Sequence, residues 1–216
     1  MVVAMRRTFF LLVFLGGSTS CSPTPGGPPP KSAGATAAKP EEWRDLALPG
    51  DIAKIDGLKT QWERALALAR PTGQRPPDIK RLLDPNAGLE RAVPTPGSYR
   101  CRYTRLGKRR PTDRQMVSSP DAFCYVGAEQ GRLSLTTETG LMRLGGWLWE
   151  EAGERRLIFL GGRSDPKSKA PSAYGEDPAR SVIGALERID EFHFRLALPA
   201  AKNGEPIYLF ELWPAI

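Results

Sequence analysis

The chain has 216 residues, with 31 Lys and Arg against 24 Asp and Glu, a formal charge of +7. That length allows one packed core and is short for two. One histidine and three cysteines without paired spacing exclude a zinc cluster, and neither a phosphate-cradling glycine loop nor a Gly-x-Ser-x-Gly elbow is present. No cofactor is expected.

Residues 1–20 read as a secretory signal peptide, with Arg6 and Arg7 ahead of the apolar run Thr8-Phe-Phe-Leu-Leu-Val-Phe-Leu15. The run is far shorter than the ~20 apolar residues of a membrane helix. With no cofactor motif downstream, the general export route suits Arg6-Arg7 better than the twin-arginine route. Cys21 follows Ser18-Thr19-Ser20, which resembles the lipobox of bacterial lipoproteins, although Ser18 stands where that pattern favours leucine. Lipid on Cys21 would anchor the chain in the membrane, and Ser22 points to the outer one. Ordinary cleavage with release of a soluble periplasmic product is the alternative. Residues 21–40 then form a tether, with six prolines between Ser22 and Pro40 and too little apolar surface to offset ordering entropy.

Residues 41–216 form one globular domain, helical over 41–96. Asp51 is placed to cap a helix in which Ile52, Ile55, Leu58, Trp62, Ala65, Leu66 and Ala69 recur at helical spacing until Pro71. A short second helix is predicted over 78–83, between Pro76-Pro77 and the Pro85-Asn86-Ala87-Gly88 turn. From Gly97 the period changes to two. Strands are predicted at 98–106, 123–126, 132–137, 144–150, 156–161, 182–189, 192–198 and 207–213. Glycines and prolines mark most boundaries, and the connections are mostly too short for crossover helices. The class is mainly β within an α+β chain: an antiparallel eight-stranded barrel, or a two-sheet sandwich, over 97–216.

Cysteine arithmetic leaves Cys21 for lipid and pairs Cys101 with Cys124 in an oxidising compartment, two buried thiols being the alternative. Removal of Arg6 and Arg7 with the leader leaves 29 basic and 24 acidic residues, and seven of those bases crowd between Arg100 and Arg114 beside one acid, Asp113. Arg100, Arg102, Lys108, Arg109 and Arg110 are therefore candidates to bind an anionic lipid or glycan, or another envelope protein. Nucleic acid is excluded as a partner, since no stacking platform interleaves the bases and the chain is exported. The long loop from Gly162 to Asp177, with Arg163, Asp165, Lys167, Lys169 and Tyr174, supplies a second candidate site at Arg163, Tyr174, Asp177 and Arg180.

Other readings are weaker. Tyr99, Tyr103, Trp147, Trp149 and Phe159 are core residues on one reading and the lining of a small apolar ligand's cavity on the other. His193 alternates away from Leu196 and Leu198 and reads as a surface histidine rather than a general base. Leu160-Gly161-Gly162-Arg163 reads as a turn, and Glu150, Glu151 and Asp177 define no acid/base pair. The expectation is a binding or structural module and not an enzyme, with a carrier or an inhibitor of a periplasmic enzyme as the alternative.

Gly97-Ser-Tyr-Arg-Cys-Arg102, Phe123-Cys124, Phe159-Leu-Gly161, Tyr174-Gly-Glu-Asp-Pro-Ala-Arg180, Gly184-Ala-Leu-Glu-Arg-Ile189, Phe194-Arg-Leu-Ala-Leu-Pro199 and Leu209-Phe-Glu-Leu-Trp-Pro214 together resemble the bacterial domain-of-unknown-function family numbered 4893. The resemblance runs from Trp43 to Pro214. It implies a bacterial envelope protein and no particular activity.

Overall fold

The computed structural model describes residues 42–69, 76–153, 155–164, 170–202 and 204–215. The predicted signal peptide, Cys21, the tether, Pro71, and Asp165, Lys167 and Lys169 lie outside them.

Among the described residues the helices are α1 (Glu42–Leu46), α2 (Asp51–Asp56), α3 (Leu58–Ala69) and α4 (Pro77–Leu83). Asp51 does not cap the long helix as expected: Gly50, at φ 86°, holds that position. Gly57 then divides the predicted helix into α2 and α3, although its N–H still reaches the Ala53 carbonyl at 2.9 Å.

Nine strands follow: β1 (Gly97–Leu106), β2 (Met116–Ser118), β3 (Ala122–Glu129), β4 (Arg132–Thr137), β5 (Leu144–Glu150), β6 (Arg156–Arg163), β7 (Ser181–Asp190), β8 (His193–Leu198) and β9 (Ile207–Pro214). β1, β3 and the later strands pair antiparallel in chain order, and β1 meets β9 to close an eight-stranded barrel. The seam runs from Tyr99 opposite Pro214 to Leu106 opposite Ile207. The far edge of β1 is divided: Gly97–Cys101 pair with β3, and Thr104–Leu106 pair with the extra strand β2.

Alternation along each strand sends one set of side chains inward and the next outward. Tyr99, Cys101, Leu135, Phe159, Phe194, Leu196, Phe210 and Leu212 belong to the inner cluster. Trp43, Ile55, Leu58, Trp62 and Leu82 of the helices pack on an outer cluster with Trp149, Ile158, Ile183, Ala197 and Leu209. Full burial of a side chain the size of Trp43 or Trp62 contributes on the order of 2 to 3 kcal/mol. β6 to β9 are buried on both faces, whereas β3 leaves Phe123 and Tyr125 exposed.

Cys101 and Cys124 are bridged, with Cα atoms 6.0 Å apart, on the inner face of the adjacent strands β1 and β3. Gly161 and Gly162, read as a turn, instead lie within β6 opposite Gly146 and Gly145. A Cβ on Gly161 would run into the Gly145 carbonyl and the Phe159 ring, and one on Gly162 into the Ser172 carbonyl. Backbone and loop thus pack where side chains would normally stand.

Candidate functional site

The end of the barrel reached by β1's last residues opens into a cavity of about 350 Å³. Its floor is Met142, Val182, Leu198 and Pro206, and its cations are Lys108, Arg109 and Arg163. Strand parity aims Arg163, like Phe159 four positions earlier, along the inner face of β6. Tyr208 comes from the inner face of β9, opposite Arg105.

The loop after β1 is held from below. Asp113 Oδ2 accepts from Arg105 Nη1 at 3.0 Å and from the backbone N–H groups of Arg109 and Arg110 at 3.1 and 3.3 Å. Desolvation pushes the Asp113 pKa up, but those backbone bonds and the Arg105 charge outweigh it and hold the carboxyl below 3.8. Arg109 donates from Nε to the Tyr208 hydroxyl at 2.8 Å and stacks on that ring at 5.7 Å. Its Nη1 and Nη2 face outward from that bond as a fork. Lys108 donates one proton to the Pro111 carbonyl at 2.9 Å. Glu205 is the acid on the same cavity wall.

The structure divides the five bases of the predicted anion site. Lys108 and Arg109 reach the mouth, and Arg110 is exposed on the loop beyond. Arg100 pairs with Asp121 at 2.5 Å, and Arg102 pairs with Glu211 at 2.8 Å; both lie over the Trp213 ring. The second predicted site is dispersed as well. Arg163 joins the mouth, Asp177 pairs with Arg180 at 3.2 Å, and Tyr174 fastens the helices to the barrel. Its hydroxyl donates to Asp51 Oδ2 at 2.5 Å and accepts from the Leu48 N–H at 2.8 Å. Burial, and then the bond to Asp51, push the Tyr174 pKa far above 10.0.

Sequence reading missed the charges inside apolar strands. On the outer face, Glu187, Arg195, Glu211 and Arg102 stand opposite one another in turn across β7, β8, β9 and β1. Arg195 is wholly buried. It forks onto Glu187 Oε2, gives Nη1 to the carbonyls of Arg81, Leu82 and Asp84 at 2.7 to 2.9 Å, and lies over Trp62 at 4.3 Å. The available signal was a single charge flanked by large apolar residues, in Phe194-Arg-Leu196 and Phe210-Glu-Leu212.

His193 is not the surface residue expected. Its side chain is 16% exposed, and Nε2 lies 3.4 Å from Glu211 Oε2. With Arg102, Glu211, Phe192 and Trp213 it lines an open groove of about 790 Å³. Trp147 and Trp149 do not line the interior, because their parity on β5 turns them outward: Trp147 is exposed and Trp149 lies under the helices. Tyr99 and Phe159 do face inward, where they pack as core.

A closed antiparallel barrel with a cross-strand disulfide, an outer coat of short helices and a cationic mouth is the class this geometry defines. The chain belongs to the family described as Domain of unknown function (DUF4893), whose model matches residues 43–212. No curated protein and no solved structure matches it.

Proposed function

We propose that this protein is an exported module of the bacterial envelope, anchored to the outer membrane by lipid on Cys21, that binds an anionic partner at the barrel mouth and catalyses nothing. The observation that carries the reading is the gathering of Lys108, Arg109 and Arg163 around one cavity with Glu205 as the opposing acid. Arginine forks suit such a partner, and their pull on it weakens over a Debye length of about 8 Å at physiological salt. The Cys101–Cys124 bridge fits an oxidising compartment, and the residues before Glu41 fit a leader, a lipid site and a tether.

The test is fractionation of bacteria with an outer membrane that express the full chain. Wild type should sediment with that membrane and carry label from a fatty-acid probe. Cys21→Ser should move to the soluble periplasm without label. Wild type found soluble and unlabelled would remove the anchor from this reading, and wild type found in the cytoplasm would overturn it.

A further inference from the structure

We propose that the barrel mouth is a receptor for a phosphomonoester group, held by Arg109, Arg163 and Lys108, with the ester's organic part seated on Met142, Val182, Leu198 and Pro206. The proposal deepens the binding reading above by naming the ligand's chemistry, and it does not depend on the anchor.

Charge narrows the class first. Among the described residues, three cations and Glu205 leave the cavity wall at +2, which a phosphomonoester of charge about −1.5 to −2 at neutral pH matches. A carboxylate neutralises half of that. Donor geometry narrows it further. Once Nε is committed to Tyr208, Arg109 retains four N–H groups on Nη1 and Nη2, and Lys108 retains two after its bond to the Pro111 carbonyl. Arg163 brings another planar fork from the end of β6. Donors converging from the β1–β2 loop and from β6 suit three tetrahedral oxygens better than the two coplanar oxygens of a carboxylate.

Preorganisation is visible in the frame beneath. Asp113 is occupied by Arg105 and by the backbone of Arg109 and Arg110, so it shapes the loop while its charge is directed at Arg105. Tyr208 fixes the Arg109 guanidinium before any ligand arrives, which lowers the entropy lost on binding. Size sets the outer limit: about 350 Å³ lies at the low end of small-molecule sites, which span about 300–1,000 Å³. Below the mouth, Leu196, Phe194 and Phe210 fill the barrel, so a long acyl chain does not enter. The phosphate sits in the mouth whether it is carried by a small soluble ester or by a lipid headgroup whose tails stay in the bilayer.

The experiment uses the full chain purified in mild detergent. Glycerol 3-phosphate is titrated by calorimetry, with glycerol as the uncharged control and acetate as the carboxylate control. Flotation is then measured for the full chain carrying Cys21→Ser, which has no acyl anchor to insert, with phosphatidylcholine vesicles with and without phosphatidate. Glycerol 3-phosphate should bind at least ten-fold more tightly than acetate, and glycerol should give no heat. Arg109→Gln and Arg163→Gln should each weaken binding at least ten-fold with unchanged circular dichroism. Arg109→Lys should restore only part of it, and Lys59→Gln, on the exposed side of α3, should change it less than two-fold. Flotation that requires phosphatidate and is lost in Arg163→Gln identifies the lipid headgroup as the source, whereas ester binding without flotation identifies a soluble one. Neither binding nor flotation, or equal binding of acetate and glycerol 3-phosphate, overturns the proposal and leaves the anchor untouched.

Discussion

Replacement of Arg195 by methionine keeps the length of the side chain and removes its charge. Arg195 is fully buried, and its guanidinium links Glu187 to the carbonyls at the end of α4. Methionine would leave the Glu187 carboxylate without this partner at 17% exposure and would strand the carbonyls of Arg81, Leu82 and Asp84. Removing one member of a buried pair costs about 3–5 kcal/mol, because the other charge stays desolvated and alone. For a domain of this size, a urea slope of about 2 kcal/mol/M converts a loss of about 4 kcal/mol into a midpoint about 2 M lower. Urea denaturation followed by tryptophan fluorescence reads that shift, and hydrogen exchange should show α4 losing protection first. Arg195→Lys should recover less than half of the loss, since an ammonium cannot span the carboxylate and the carbonyls together. Arg195→Met with Glu187→Met should be more stable than Arg195→Met alone, having no orphaned charge. A midpoint change below about 0.5 M for the single variant would refute the reasoning, because it would mean that the buried fork contributes no more than a surface pair.

Three further outcomes are expected. A tyrosine whose folded pKa is raised stabilises the fold below its unfolded pKa, and that stability is lost as pH rises toward the folded value. Tyr174 should therefore make wild type lose stability above pH 10.0 more steeply than Tyr174→Phe does, as thermal melts from pH 8 to 11 would show, and parallel curves would deny the Asp51 contact. Arg102→Ala should destabilise by about 3 kcal/mol in urea, since Glu211 is only 1% exposed, while Arg102→Met with Glu211→Leu should recover most of it. Exchange of Cys101 and Cys124 together for serine should cost about 3 kcal/mol, the chain-entropy expectation for this loop, and no change in the midpoint under oxidising conditions would count against the bridge as a stabiliser.

The eight barrel strands were legible because two-residue periodicity and turn glycines survive in the sequence even where helices cover the outer face. β2 was not, because three residues, Met116-Val-Ser118, carry no periodicity and are fixed only by pairing with Thr104–Leu106. α1 is similarly short and depends on the burial of Trp43. Gly161-Gly162 misled because glycine signals either a turn or a close approach of backbones, and only the opposite pair Gly145-Gly146 decides between them. The bases of the mouth were visible individually, but Arg109 and Arg163 are 54 positions apart and share a cavity only once β6 and β9 curve round. Tyr208 and Glu205 carried no local mark at all.

The seam between β1 and β9 makes the domain a ring cut at an arbitrary place. Each other junction of the barrel joins segments that follow one another along the chain, and can form by local zippering. The seam joins Leu106 to Ile207, 101 positions later, and so carries the largest loop-closure entropy in the fold. Until β9 arrives, both β1 and β8 offer raw hydrogen-bonding edges, which template association with other copies. A chain stopped short of Ile207 would be a sticky open sheet rather than a smaller version of the domain. By the same logic, a linker that joined the segments flanking the seam would let the ring be reopened at an exposed turn such as 138–141 without changing the order in which the strands meet.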